Sequence, residues 1–291
     1  MPVLGNDLYC PSCNTKQSQI NFTNCEVCAN DLGAPNVNEL STDNELNALK
    51  TRYNNAHQYH LSNGTKIALN NFETFFGQNA KAIINIDLSS LKEWLIIKGG
   101  AYKNYHRLVD EGIRKVSKPG DDRRRTMIDS YLYGSYGRDM VFAAISLNDT
   151  GLTSYGECSV ILNDMSISDR ATLLEENSYN FVKTHNVNFE TLDIPLGYRS
   201  KWDNKIKLGT AKLYQKITTS NTAEDYCKLV LYTEGDRDKR QNDEFIELHI
   251  YKGLSPLTVK SIQAPTPKDR TNSLYLNIIK RKYPGKITEV S

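Results

Sequence analysis

The sequence predicts an α+β protein: helices first, a mixed helix-and-strand body after them, and a small metal module in front. Three observations carry this. Apolar residues recur at helical spacing through 42–98, short apolar runs bounded by turn residues begin near residue 139, and four cysteines fall between residues 10 and 28. The expected division is a metal module over 1–35, a helical segment over 42–98 and an α+β domain over 99–291. A chain of 291 residues is long enough to bury a sizeable core without disulfide staples.

Composition removes several classes. The chain is 39% hydrophobic and 24% charged, with a mean hydropathy of −0.54. It has no run of about 20 apolar residues, so neither a membrane span nor a membrane partner is expected. The 17 Tyr, 8 Phe and 2 Trp argue against whole-chain disorder. A net charge of +2 excludes an overwhelmingly basic nucleic-acid binder. That charge is uneven: Lys16 stands against Asp7, Glu26, Asp31 and Glu39 in residues 1–40, which leaves +5 for the remainder.

The cysteines come first along the chain. Cys10-Pro-Ser-Cys13 and Cys25-Glu-Val-Cys28 are two CxxC pairs separated by eleven residues. Each pair turns two thiolates toward one ion, and two pairs complete a tetrahedral site for structural Zn²⁺. The start Met-Pro-Val-Leu has no basic then apolar leader, so a cytoplasmic setting is expected, where disulfides are disfavoured. An acidic ribbon is a poor phosphate binder, so its expected role is structural or protein-docking.

Residues 29–41 read as a linker. Thr42 and Glu45 then form a T-x-x-E capping box, opening a helix of about 18 residues through Leu46, Leu49, Tyr53 and Ala56. Ser62-Asn63-Gly64 breaks it, and a second helix follows over 65–76. Ala82–Ile86 reads as a short strand or connector. Ser89 or Ser90 caps a helix through Leu91, Trp94, Leu95 and Ile97 that stops at Gly99-Gly100. Met140–Leu147 and Cys158–Leu162 read as strands, Trp202–Ile217 as a helix, and 228–232 and 245–251 as two more strands. The tail after Pro265 reads as a peripheral packing segment.

The segment 243–251 carries the most chemistry. In a strand, Glu244, Ile246, Leu248 and Ile250 share one face, and Phe245, Glu247, His249 and Tyr251 share the other. The second face sets a carboxylate and an imidazole two residues apart between aromatics. Arg123-Arg124-Arg125 and Arg237–Arg240 are basic runs able to meet phosphates. Tyr131, Tyr133 and Tyr136 lie in a Gly-bearing, aromatic turn, and Thr153-Ser154-Tyr155-Gly156 is a second such turn. No P-loop, G-x-G-x-x-G, H-E-x-x-H or G-x-S-x-G pattern is present.

The stretch from Lys239 through Asp243, Glu244 and Glu247, followed by Leu257-Thr258-Val259, resembles the last core strand of bacterial ADP-ribosyltransferases. It is most like the nucleic-acid-modifying, DarT-like toxin branch, where a basic run precedes a glutamate in a strand. Gly151–Leu162 and Arg170–Leu173 resemble strand pairs of the same toxins, and the likeness covers residues 100–262. The chain departs from the R, S-T-S, E-x-E pattern, because Glu247 is followed by His249 where a second Glu would stand.

The resemblance implies an ADP-ribosyltransferase-like mixed β core that uses NAD⁺ as co-substrate. It implies transfer of ADP-ribose to a macromolecular acceptor such as RNA or DNA, by a toxin or phage-defence effector held by an antitoxin or chaperone. Glu247 is then the catalytic carboxylate, with Glu244 as the fallback. His106, Arg125, Ser154 and Tyr155 are the expected NAD⁺ contacts. Two other readings remain: a non-catalytic zinc-ribbon adaptor for nucleic acid or protein, and a nuclease holding a metal on Asp243, Glu247 and His249.

Overall fold

The protein is described by a computed structural model covering residues 8–19, 22–97, 100–112, 119–187 and 194–290. After the cysteine module come α1 (Pro35–Glu39), α2 (Asp43–Ser62) and α3 (Lys66–Asn79). Next are β1 (Lys81–Ile86), α4 (Leu88–Ile96), α5 (Tyr105–Asp110) and α6 (Pro119–Tyr133). The middle of the chain holds β2 (Met140–Ser146), β3 (Cys158–Leu162), β4 (Ala171–Leu174), α7 (Ser178–Thr184) and β5 (Arg199–Lys201). Then follow α8 (Lys205–Leu213), α9 (Ala223–Val230), β6 (Leu231–Tyr232), β7 (Glu244–Phe245) and β8 (Glu247–Tyr251). The last elements are β9 (Val259–Pro265), α10 (Arg270–Lys282) and β10 (Ile287–Val290).

Eight strands form one mixed sheet in the order β10-β9-β3-β1-β2-β8-β4-β5. Neighbours are antiparallel except β9 and β10, which run parallel. The strand alternation explains both faces. Ala82, Ile84, Val141, Ile145, Val160, Leu173, Leu248 and Ile250 form one side, packed on Phe72, Phe76, Leu91, Leu95, Leu208 and Leu276 of the surrounding helices. Met140, Leu174 and Tyr251 form the other, under Ile128, Leu132 and Tyr133 of α6 and Phe181 of α7. β8 is therefore covered on both sides, and all five of its residues are buried.

Several expectations are corrected. The segment 29–41 is no linker: α1 sits on the sheet with Pro35 and Asn36 buried. The boundary at residue 98 does not divide the body, because β1 pairs with both β2 and β3 and α2–α4 share the main core. Residues 228–230 belong to helix α9, where the capping box of Thr222 and Asp225 starts a helix that an apolar run disguises as a strand. The Thr42 box does not form; Glu45 turns inward instead. Asp87, not Ser89 or Ser90, precedes α4, and Gly99 lies outside the described residues. Tyr133 and Tyr136 are buried where a flexible aromatic turn was expected, since α6 runs into a 3-10 turn over Gly134–Asp139.

Candidate active site and metal centre

The pairing of β8 decides where Glu247 and His249 point. Ala144 and Leu174 flank Glu247, and Phe142 and Thr172 flank His249, in the two adjacent strands. Both side chains rise from the face under α6 and α7. Ser178, the first residue of α7, donates its backbone N–H to Glu247 Oε2 at 2.6 Å and its hydroxyl to the same oxygen. His249 Nε2 lies 3.2 Å from that oxygen, and its Nδ1 meets the Tyr133 hydroxyl at 2.5 Å. The carboxylate is 8% exposed and the imidazole 2%. Burial, with Glu247 adding to it, keeps the Tyr133 phenol un-ionised far above its ordinary range.

Aromatic and basic groups surround this cluster. Tyr155 lies beneath the Arg240 guanidinium, 4.4 Å from its ring centre. Burial and then the nearby Glu247 charge raise the Tyr155 ionisation, while Arg240 and Arg125 oppose the shift. Arg240 also donates to the Ser154 carbonyl. Ser154 donates its hydroxyl to Asp243 at 2.7 Å, and Asp243 Oδ1 is sealed with no partner among the described residues. Arg125 stacks on Tyr105 at 4.6 Å.

The residues expected at a site fall into two groups. Glu247 and Arg125 both act on Tyr155 through their charges, and Ser154 joins the same neighbourhood through its bond to Asp243, whose charge also reaches Tyr155. His106 instead forms a buried 2.7 Å pair with Asp129, whose carboxyl burial pushes above its usual range. Glu244 is exposed and pairs with Lys216 at 3.1 Å. Ser178, Tyr133 and Arg240 complete the cluster without having been singled out. Only Tyr133 and Arg240 carried a signal, as members of an aromatic turn and a basic run. Ser178 reaches Glu247 through a sheet pairing that no local pattern announces.

The N-terminal module is built on two similar turns. After each CxxC the chain passes through a left-handed residue, Asn14 (φ 54°) and Ala29 (φ 57°). The Asn14 and Ala29 N–H groups close the turns onto the Cys10 and Cys25 carbonyls. The sulfurs of Cys10 and Cys28 lie 3.5 Å apart, those of Cys13 and Cys25 3.6 Å, and all four fall within 4.8 Å of one another. Four sulfurs each about 2.3 Å from one zinc ion stand about 3.8 Å apart, so the cage fits a metal such as zinc. The N–H groups of Cys28 and Val27 point at the Cys25 sulfur and hold that thiol below its ordinary range.

This is the one cluster of three or more potential ligands among the described residues. Asp243, Glu247 and His249 form no such cluster among the described residues, so the geometry lends the metal-dependent nuclease reading no support. No helix of the described residues is long and apolar enough to cross a membrane.

The helix that follows the module is tied to the candidate site. Asn36 of α1 is 2% exposed and extends its amide to the carbonyls of Arg170 and His249 and to the Thr172 hydroxyl, at 3.0 to 3.3 Å. Further along α1, Glu39 approaches Arg199, which also holds Glu45 at 2.6 Å. No family model matches this chain, and comparison with curated proteins finds no match.

Proposed function

We propose that this protein is an ADP-ribosyltransferase that cleaves NAD⁺ and passes ADP-ribose to a macromolecular acceptor, with Glu247 as the reacting carboxylate. The observation that carries the reading is the placement of Glu247: a nearly buried carboxylate on a core strand, held through one oxygen, with a tyrosine under an arginine beside it. The chemistry requires such a group. As the bond between the nicotinamide nitrogen and ribose C1 breaks, its electron pair goes to the nitrogen and discharges the pyridinium. Positive charge then builds on the ribose, and a preorganised carboxylate in a dry site stabilises it strongly. An acceptor oxygen or nitrogen bonds to C1 and gives up its proton to the carboxylate and then to solvent.

Tyr155 offers a flat ring for a base or the nicotinamide, and Arg240 and Arg125 offer positive charge for the diphosphate. The four cysteines are read as a structural Zn²⁺ site. RNA or DNA is the proposed acceptor class, and an antitoxin or chaperone the proposed protein partner of a toxin or defence effector acting in the cytoplasm.

The test is incubation of purified protein with NAD⁺ labelled in its ADP-ribose portion, together with cell lysate. Nicotinamide release and label transfer are followed for wild type and Glu247→Gln. Loss of one electrostatic group of this kind costs about 100- to 1,000-fold, so the variant should be nearly silent. Label found on RNA, DNA or protein identifies the acceptor. Folded wild-type protein that releases no nicotinamide and transfers no label overturns the proposal and favours the binding-adaptor reading.

A further inference from the structure

All three donors around Glu247 converge on one oxygen. The Ser178 N–H, the Ser178 hydroxyl and His249 Nε2 all address Oε2. Oε1 accepts nothing from the described residues, yet it is not among the sealed unpartnered atoms, so the residual exposure of the carboxylate includes it. A bare imidazole nitrogen facing a carboxylate at 3.2 Å would set lone pair against charge, so Nε2 must carry a proton. In the neutral ring the other nitrogen then accepts. Tyr133 is buried and un-ionised, and it has a proton to donate to Nδ1 at 2.5 Å. Each contact fixes the next: phenol to Nδ1, Nε2–H to Oε2.

We infer that His249 is a positioning residue, locked by Tyr133 as the Nε2–H tautomer, which with Ser178 pins Oε2 of Glu247 so that Oε1 alone meets the substrate. Phe142 and Tyr133 close on the imidazole edge-on, with ring centres 5.2 and 4.9 Å away, which restrains ring rotation. A freely turning carboxylate would offer the reacting centre either oxygen at varying angles, and small misplacements are costly in rate. Asn36 adds a support from behind by binding the His249 carbonyl. The inference rests on Glu247 being the reacting group, but the tautomer and the clamp are measurable without any substrate.

Long-range ¹H–¹⁵N correlation on histidine-labelled protein reads the tautomer directly. The expected spectrum has His249 protonated at Nε2 and bare at Nδ1, with the Nδ1 resonance shifting in Tyr133→Phe as its hydrogen bond is lost. Protonation at Nδ1 alone in the wild type overturns the inference, whatever the protein does with NAD⁺. The second arm is kinetic. A hydrogen bond to a charged group of this strength corresponds to about 10- to 100-fold. His249→Ala and Tyr133→Phe should therefore lower kcat for nicotinamide release with KM for NAD⁺ within twofold.

His249→Gln retains an amide donor toward Oε2 and should recover part of the loss. Tyr133→Phe removes one oxygen from a packed ring and serves as the decisive variant should His249→Ala fail to fold. Changes confined to KM, or none, overturn the positioning role. If the wild type turns over no NAD⁺, the proposed function fails, and the spectrum alone decides the clamp.

Discussion

Arg199 is enclosed on every side, 8% exposed, with Glu45 at 2.6 Å and Glu39 at 3.8 Å. Burial opposes its charge, and the two carboxylates hold it ionised. Glu45→Ala strips the closer partner and leaves a buried cation, which costs about 3–5 kcal/mol; urea unfolding should show that loss, with Glu45→Gln losing less. Lys212 is the opposite case, an amine that burial brings down to about 8 from 10.5. A lysine depressed in the folded state destabilises it below that pH, and the penalty lifts as pH rises toward the unfolded value. Wild type should therefore gain on Lys212→Met by up to about 3 kcal/mol between pH 7 and 10.5, read by denaturation at each pH. Neither ion site was legible in the sequence. Glu45 has the spacing of a cap, and only the arrival of Arg199 from a distant strand explains why it turns inward.

Elements packed by backbone contact are the least forgiving. Gly156 stands so close to β1 that a Cβ there would lie 2.3 Å from the Ile86 carbonyl carbon. That neighbour is backbone and has no side-chain freedom with which to yield. Gly156→Ala should displace the 151–156 loop, which carries Ser154 and Tyr155, and lower the melting temperature by several degrees. At the start of α9, Thr222→Ala removes a reciprocal cap and should cost about 1 kcal/mol, seen as a small shift in the denaturation midpoint. The T-x-x-D signal for this helix was present at 222–225 and was outweighed by the apolar run that follows it. β3, by contrast, was legible to the residue, because its five apolar or small residues are bounded by Glu157 and by Asn163-Asp164. The alternation in β8 gave the right side chains to each face, while the covering helices α6 and α7 lay beyond a local pattern.

At the scale of the molecule, the cysteine module has little core of its own: Cys10, Cys25 and Leu32 are its buried apolar cluster. Metal supplies the missing stability in such modules. About one zinc per chain is expected by atomic absorption, falling when Cys10 and Cys13 are both changed to Ser. Chelation should remove amide-exchange protection from residues 8–19 and 22–33 while β1, β2 and β3 keep theirs; unchanged zinc in the double variant would refute the Cys₄ assignment. The sheet order has a different consequence, one of timing. β8 is the later-made strand that fills the place between β2 and β4, so a chain emerging from the ribosome carries an unfilled slot until Tyr251 has been added. Until then Tyr133 and Ser178 have no carboxylate to orient, and any chemistry that needs Glu247 is absent from the nascent protein. The same interval leaves two strand edges bare, which is when self-association is most favourable. Ribosome-bound chains stalled before residue 247 should thus be inert and prone to aggregate, and release of the remaining residues should end both conditions together.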